Sequence, residues 1–129
     1  MDVRIDSELE LLRRYFPALQ FLGELRWLRL PGYKLPKGIW DRDRADIAFQ
    51  IPIGYPGQKP YGFYVNPRLN LLTGANIDNS TPSTEPPFEG DWLKFSWDMP
   101  EWRPTADLQT GTNLLNFALS FADRLQQGA

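Results

Sequence analysis

The segment Trp92-Leu93-Lys94-Phe95-Ser96-Trp97-Asp98 brings together three side chains suited to nucleophilic chemistry. In an extended chain alternate residues share a face, so Ser96 and Asp98 would lie side by side. A serine hydroxyl is a weak nucleophile at its ordinary pKa and needs a base. Asp98 is the candidate base, provided that burial among Trp92, Phe95 and Trp97 lifts its carboxyl from the reference value near about 4. Lys94 could deliver an amine or stabilise an oxyanion. Plainer roles compete with these. Ser96 could bond to backbone in a turn at a strand end, and Lys94 could lie along the surface with its ammonium in water.

Other chemistries are excluded by residues the chain lacks. It has no cysteine, which removes disulfides, thiolate nucleophiles and cysteine-type zinc sites together. It has no histidine, which removes the usual base near neutral pH and the commonest metal ligand. Asp41, Asp43 and Asp46 cluster, but Arg42 and Arg44 interleave and no glycine-centred calcium loop follows. No phosphate loop or dinucleotide fingerprint is present, so no cofactor is expected. A formal net charge of -2, with basic residues spread along the chain, predicts no nucleic-acid partner. No apolar run approaches the ~20 residues that span a bilayer. The opening Met1-Asp2-Val3-Arg4-Ile5-Asp6 lacks a signal-peptide core, so the expected location is the cytoplasm, with no membrane partner.

With 129 residues, 42% of them hydrophobic, residues 1–129 are expected to form one globular domain with a substantial core. Ser7-Glu8-Leu9-Glu10 fits a capping box, and Leu9, Leu12 and Phe16 share a helical face. The spacing predicts a helix over 7–16, stopped by Pro17 and re-forming through Ala18–Phe21. Leu25–Leu30 reads as a strand, followed by Pro31-Gly32 as punctuation. Ala45–Ile53 is the clearest strand, with apolar odd positions and mostly polar even ones. Tyr61–Val65 and Trp92–Trp97 follow the same logic. The Pro-rich stretch 73–90 reads as a surface loop. From Asp107 to Gln127 the period turns helical, with Thr105 or Asp107 as N-cap and Gly111 marking close packing. The expected fold class is α+β, with an antiparallel four-stranded meander, an N-terminal helix and a long C-terminal helix.

Several motifs recur in a definite order: Leu35-Pro36-Lys37-Gly38, Ile51-Pro52-Ile53-Gly54-Tyr55-Pro56, Lys59-Pro60, Trp92 to Ser96, and Trp102-Arg103-Pro104 with Asp107-Leu108. In order and spacing this set resembles the prokaryotic family E of the ubiquitin-conjugating (UBC) superfamily, over roughly residues 20–125. The resemblance implies a UBC-like sheet of about four strands flanked by helices. It also implies a bacterial ubiquitin-like conjugation operon, with a ubiquitin-like protein and an adenylating activating enzyme as partners, and in some cases defence against phage. Tyr55, Pro56 and Pro60 are expected to fix a turn against the sheet. Trp102 and Pro104 are expected to anchor the loop entering the last helix.

The departures from that family pattern matter as much. Ordinary conjugating enzymes carry their cargo as a thioester on a cysteine about eight residues before the tryptophan matched here by Trp102; that position is Lys94. The histidine-proline-asparagine motif is represented only by the fragment Asn66-Pro67. Family E commonly places a serine followed by a histidine nearby, and here Ser96 is kept while Asp98 replaces the histidine. Thioester chemistry is excluded. The resemblance implies a ubiquitin-like transferase that forms an oxyester on Ser96, or a non-catalytic binding module that scaffolds the ubiquitin-like protein or the activating enzyme.

Overall fold

The computed structural model describes residues 3–129. Its elements are α1 (Val3–Tyr15), β1 (Gln20–Leu22), β2 (Trp27–Lys34), β3 (Arg44–Gln50), β4 (Phe63–Asn66), β5 (Ser80–Ser83), β6 (Trp92–Phe95) and α2 (Leu114–Gln127). The strands form one antiparallel sheet in the order β1-β2-β3-β4-β6-β5. The α+β class is as expected, with helices at either end of the chain. The expected four strands become six, because two short edge strands flank the central four.

Both edge strands lie where sequence pattern predicts something else. Ala18–Phe21 does not re-form a helix. Instead Gln20, Phe21 and Leu22 pair with Arg29, Leu28 and Trp27. Ser80–Ser83 lies inside the Pro-rich stretch yet pairs along β6, with Pro82 opposite Leu93. The Ser96 N–H donates to the Asn79 carbonyl at 2.9 Å, which fixes the alternation of that ladder. By that alternation Pro82 falls where an N–H would point away from β6, so its missing donor costs the ladder nothing.

The four inner strands are offset from their predicted ends for local reasons. β2 runs through Pro31-Gly32 as a bulge, with the register shifting between Leu30 and Tyr33 and Gly32 at φ 67°. β3 stops at Gln50: the Ile51 N–H makes a last bond against β2, to the Arg26 carbonyl, and Pro52 has no N–H to carry the strand on. Ile53, expected on the buried face, is therefore 87% exposed. Tyr61, expected in β4, lies before it and is exposed.

Each helix begins elsewhere than its local capping signals suggest. α1 starts before Ser7, because Ile5 extends the buried stripe of Leu9 and Leu12 by one turn. The helix ends at Tyr15, ahead of Pro17. α2 starts seven residues later than expected. Asn113 caps it and forms a reciprocal box with Asn116. Thr105 and Asp107 organise the preceding loop, where Thr105 Oγ1 donates to the Asp107 carbonyl. Gly111 marks a close approach in that loop and not in the helix: a Cβ there would sit 2.6 Å from the Thr105 nitrogen. Of the apolar positions of this helix Leu119 and Ala122 face solvent, and Leu114, Leu115, Phe117, Ala118, Phe121 and Leu125 are buried.

Both helices contribute to one core on one sheet face. At its centre Phe63 stacks on Phe95 with ring centroids 5.1 Å apart and on Phe121 at 4.3 Å, and Phe49 meets Phe117 edge-on. The opposite face carries a smaller cluster of Trp27, Ala48, Tyr64 and Trp92, with Phe88 packed against it. Even position 48 of β3 is thus apolar because this face is covered too.

Glu8 sits on the inner side of α1 with 0% exposure. Its Oε1 accepts from the Tyr55 hydroxyl at 2.5 Å and from the Leu114 N–H at 2.6 Å, while Oε2 accepts from Arg4 Nε at 2.8 Å. One carboxylate thereby joins α1, the Tyr55-Pro56 turn and the first turn of α2. Replacing it leaves buried donors without a partner. Glu8→Ala is expected to cost about 3 kcal/mol or more, and Tyr55→Phe about 2 kcal/mol. Urea unfolding followed by tryptophan fluorescence measures both; equal midpoints for wild type and Glu8→Ala would remove the assignment.

Candidate functional site

Ser96 follows the last residue of β6 and is exposed. Its backbone N–H is tied to Asn79, and its hydroxyl makes no hydrogen bond among the described residues. Side chains of β6 alternate: Leu93 and Phe95 join the main core, while Trp92 faces the other way. Ser96 therefore lies on the outer face with Lys94 and Trp92.

Asp98 is not drawn to Ser96. Its carboxylate is 43% exposed and pairs with Lys59 Nζ at 2.7 Å. Lys59 also reaches the Met99 carbonyl. The apolar enclosure expected around Asp98 is absent, since Trp97 turns inward and donates Nε1–H to the Ser120 hydroxyl. Lys59 comes from the Lys59-Pro60 turn, 39 residues away. Sequence spacing carries no signal for such a pairing.

Asn66 and Ser96 lie toward opposite ends of the β4–β6 ladder, in which Phe63 pairs with Phe95 and Val65 with Leu93. The Asn66 side chain is occupied, accepting from the Asp91 N–H at 2.8 Å and filling the space beside Gly90. The fragment Asn66-Pro67 and Ser96 are thus not brought together.

The turn motifs do converge. Tyr55 is buried against the Trp102 ring, at a centroid distance of 5.8 Å. Trp102 donates Nε1–H to the Pro56 carbonyl at 2.9 Å. Pro60 is buried beside them in sequence and Pro104 half-buried in the loop toward α2. The aspartate cluster disperses: Asp41 binds Asn70, and Asp46 binds Arg29. Among the described residues no group of three His, Cys, Asp or Glu is placed to hold a metal ion. Among them, too, no helix is long and apolar enough to cross a membrane.

Matched against models of known families, residues 20–122 fit prokaryotic E2 family E. The chain belongs to that family. It is a member without cysteine, and its fold is E2-like with two added edge strands. Family membership makes it a ubiquitin-conjugating-like protein of a conjugation pathway. No curated protein and no solved structure matches it.

Two residues of this family E protein escaped sequence reasoning. Glu8 had a usable signal, since it falls between Ile5 and Leu12 on the apolar face, where an unpaired carboxylate would be costly. Lys59 had none. Three tyrosines are shifted by their surroundings. Burial pushes the Tyr55 phenol up, helped by Glu8, and pushes up Tyr64, helped by the charge of Glu85. Burial lifts Tyr33 to about 12, against a lowering contribution from the Ala122 backbone and with the charge of Asp123 adding to the rise. The Tyr33 hydroxyl donates to the Ala118 carbonyl at 2.8 Å.

A phenol that keeps its proton more tightly when folded stabilises the fold below its unfolded pKa of 10. That contribution is lost as pH rises from 10 through about 12. Tyr33→Phe is expected to lose about 1 kcal/mol at neutral pH and to show a shallower alkaline decline than wild type. Urea midpoints at pH 8 and pH 11 test this; parallel declines would show that Tyr33 does not contribute.

Proposed function

We propose that this protein accepts the C-terminus of a ubiquitin-like protein from an activating enzyme and holds it as an oxyester on Ser96. The observation that carries this is the Ser96 hydroxyl itself, exposed, unbonded and at the end of a central strand in a chain with neither cysteine nor histidine. A hydroxyl tied to backbone in a turn would have spoken for a structural serine. The accessible position suits an acceptor approached by two large proteins. On the family resemblance we place the protein in a bacterial conjugation operon of the kind linked to defence against phage, and we propose a cytoplasmic location for it.

A second function, as a scaffold for the same two partners, is favoured by one observation. Asp98 is held by Lys59 and so does not serve Ser96 as its base. The first function requires that activation come from the incoming thioester or adenylate and from a different neighbour of Ser96.

An ATP-driven transfer assay separates the two. The protein is mixed with its operon's activating enzyme and mature ubiquitin-like protein, with and without reducing agent. An oxyester predicts an adduct that survives thiols, yields to strong base or hydroxylamine, and is lost in Ser96→Ala. An adduct that persists in Ser96→Ala would sink the assignment. No adduct, with the ubiquitin-like protein demonstrably activated and bound, would establish the scaffold.

A further inference from the structure

If Ser96 carries an acyl group, a negative charge develops on the attacked carbonyl oxygen and must be met. Asp98 has the wrong sign for that task and is already paired with Lys59. Resting on the Ser96 assignment, we propose that Lys94 is the catalytic cation of this site and that its ammonium stabilises the oxyanion formed on transfer to Ser96.

The placement follows from the sheet. Lys94 and Ser96 are two residues apart along the end of β6, so their Cα atoms are roughly 7 Å apart on the same face. Gly62 crosses the end of β6, where its N–H donates to the Trp97 carbonyl at 2.8 Å and a Cβ on it would lie 3.2 Å from the Phe95 carbonyl. It therefore stands across from Ser96. The Lys94 Cε lies 3.6 Å from that same absent Cβ. The lysine stem thus passes close to the strand-end position that stands across from Ser96. Gly62 sits at φ 76°, where other residues are strained, so the absence of a side chain there is built into the backbone.

The setting suits a working charge. The Lys94 ammonium lies 5.6 Å from the centroid of the Tyr64 ring, which shelters it from below. Its side chain is 29% exposed, so it is partly desolvated and its field is less screened than that of a free surface lysine. The acid facing it is Glu85, at 3.7 Å and from a side chain 60% exposed. The two form an ion pair, but the separation exceeds a hydrogen bond, so the ammonium's N–H donors are not spent on that carboxylate.

The step balances without another cofactor. The co-reactant is the thioester between the activating enzyme and the C-terminus of the ubiquitin-like protein. Ser96 Oγ bonds to the carbonyl carbon, the carbonyl oxygen carries the charge toward Lys94, and the carbon–sulfur bond then breaks. The hydroxyl proton ends on the departing sulfur, giving an ester and a thiol.

The test is single-turnover transfer from the preformed thioester, with the donor titrated, using wild type, Ser96→Ala, Lys94→Met and Lys94→Arg. Lys94→Met is expected to slow the rate constant about 100- to 1000-fold, the range for loss of an oxyanion donor, with the half-saturating donor concentration unchanged. Lys94→Arg keeps the charge and is expected to retain most of the rate. A thermal unfolding midpoint close to wild type in Lys94→Met and Lys94→Arg guards against a folding artefact. Lys94→Met transferring at the wild-type rate while Ser96→Ala transfers nothing would overturn the role of Lys94 alone. So would a change confined to half-saturation, which would mark Lys94 as a docking residue. Absence of any wild-type ester, or its survival in Ser96→Ala, would overturn the Ser96 assignment and this inference with it.

Discussion

A single buried carboxylate organises this fold. Glu8 is withdrawn from water on the inner face of α1, and an isolated charge there would cost several kcal/mol. Three donors from three parts of the chain offset that cost: Arg4 within the helix, the Tyr55 hydroxyl and the Leu114 N–H. The last is an otherwise unpartnered donor at a helix start, where negative charge is also favoured by the helix dipole. The orientation of α1, the position of the Tyr55-Pro56 turn and the beginning of α2 are therefore set by one group. Trp102 then follows, because it packs on Tyr55 and donates to Pro56. The loop that leads to α2 is held at that end and again at Gly111, where it passes too close to Thr105 for a side chain.

Around this joint the sheet is buried on both faces, by different means. The helices and the phenylalanine stack cover one side. The chain's own segment around Phe88 covers part of the other, with Trp92 donating to the Phe88 carbonyl and Arg29 over the Phe88 ring. Glu85 of the same segment comes to rest near Lys94. The end of β6 thus emerges between a packed core and a polar outer face. Lys94 and Ser96 share a face there by alternation along the strand, and strand pairing sets Gly62 across from them.

Local pattern made much of the fold legible. Period-two burial marked β3 through Ala45, Ile47 and Phe49, and the wide apolar stripe marked α2 through Phe117, Phe121 and Leu125. It misplaced the ends for identifiable reasons. Ser7 and Asp107 both offer capping groups, but the helices begin where burial begins, at Ile5's turn and at Asn113. Strand β5 was invisible because Ser80-Thr81-Pro82-Ser83 has no strand character of its own; it is extended because β6 offers it a partner. The candidate site divides in the same way. Ser96 and Lys94 share a face by alternation, which spacing reveals, whereas the loss of Asp98 to Lys59 depends on a turn 39 residues away.

Composition alone decided which reactions are closed to this chain. With no cysteine and no histidine it cannot carry a thioester or use an imidazole base, whatever its shape. Motif order decided the family, because turn residues and core anchors must recur at fixed spacings to close the same sheet. The tertiary structure decided the electrostatics. Which carboxylate is buried and bonded, and which is exposed and paired, are set by distances across the fold. Charge interactions fall with separation and strengthen with burial, and neither quantity is written in a linear sequence.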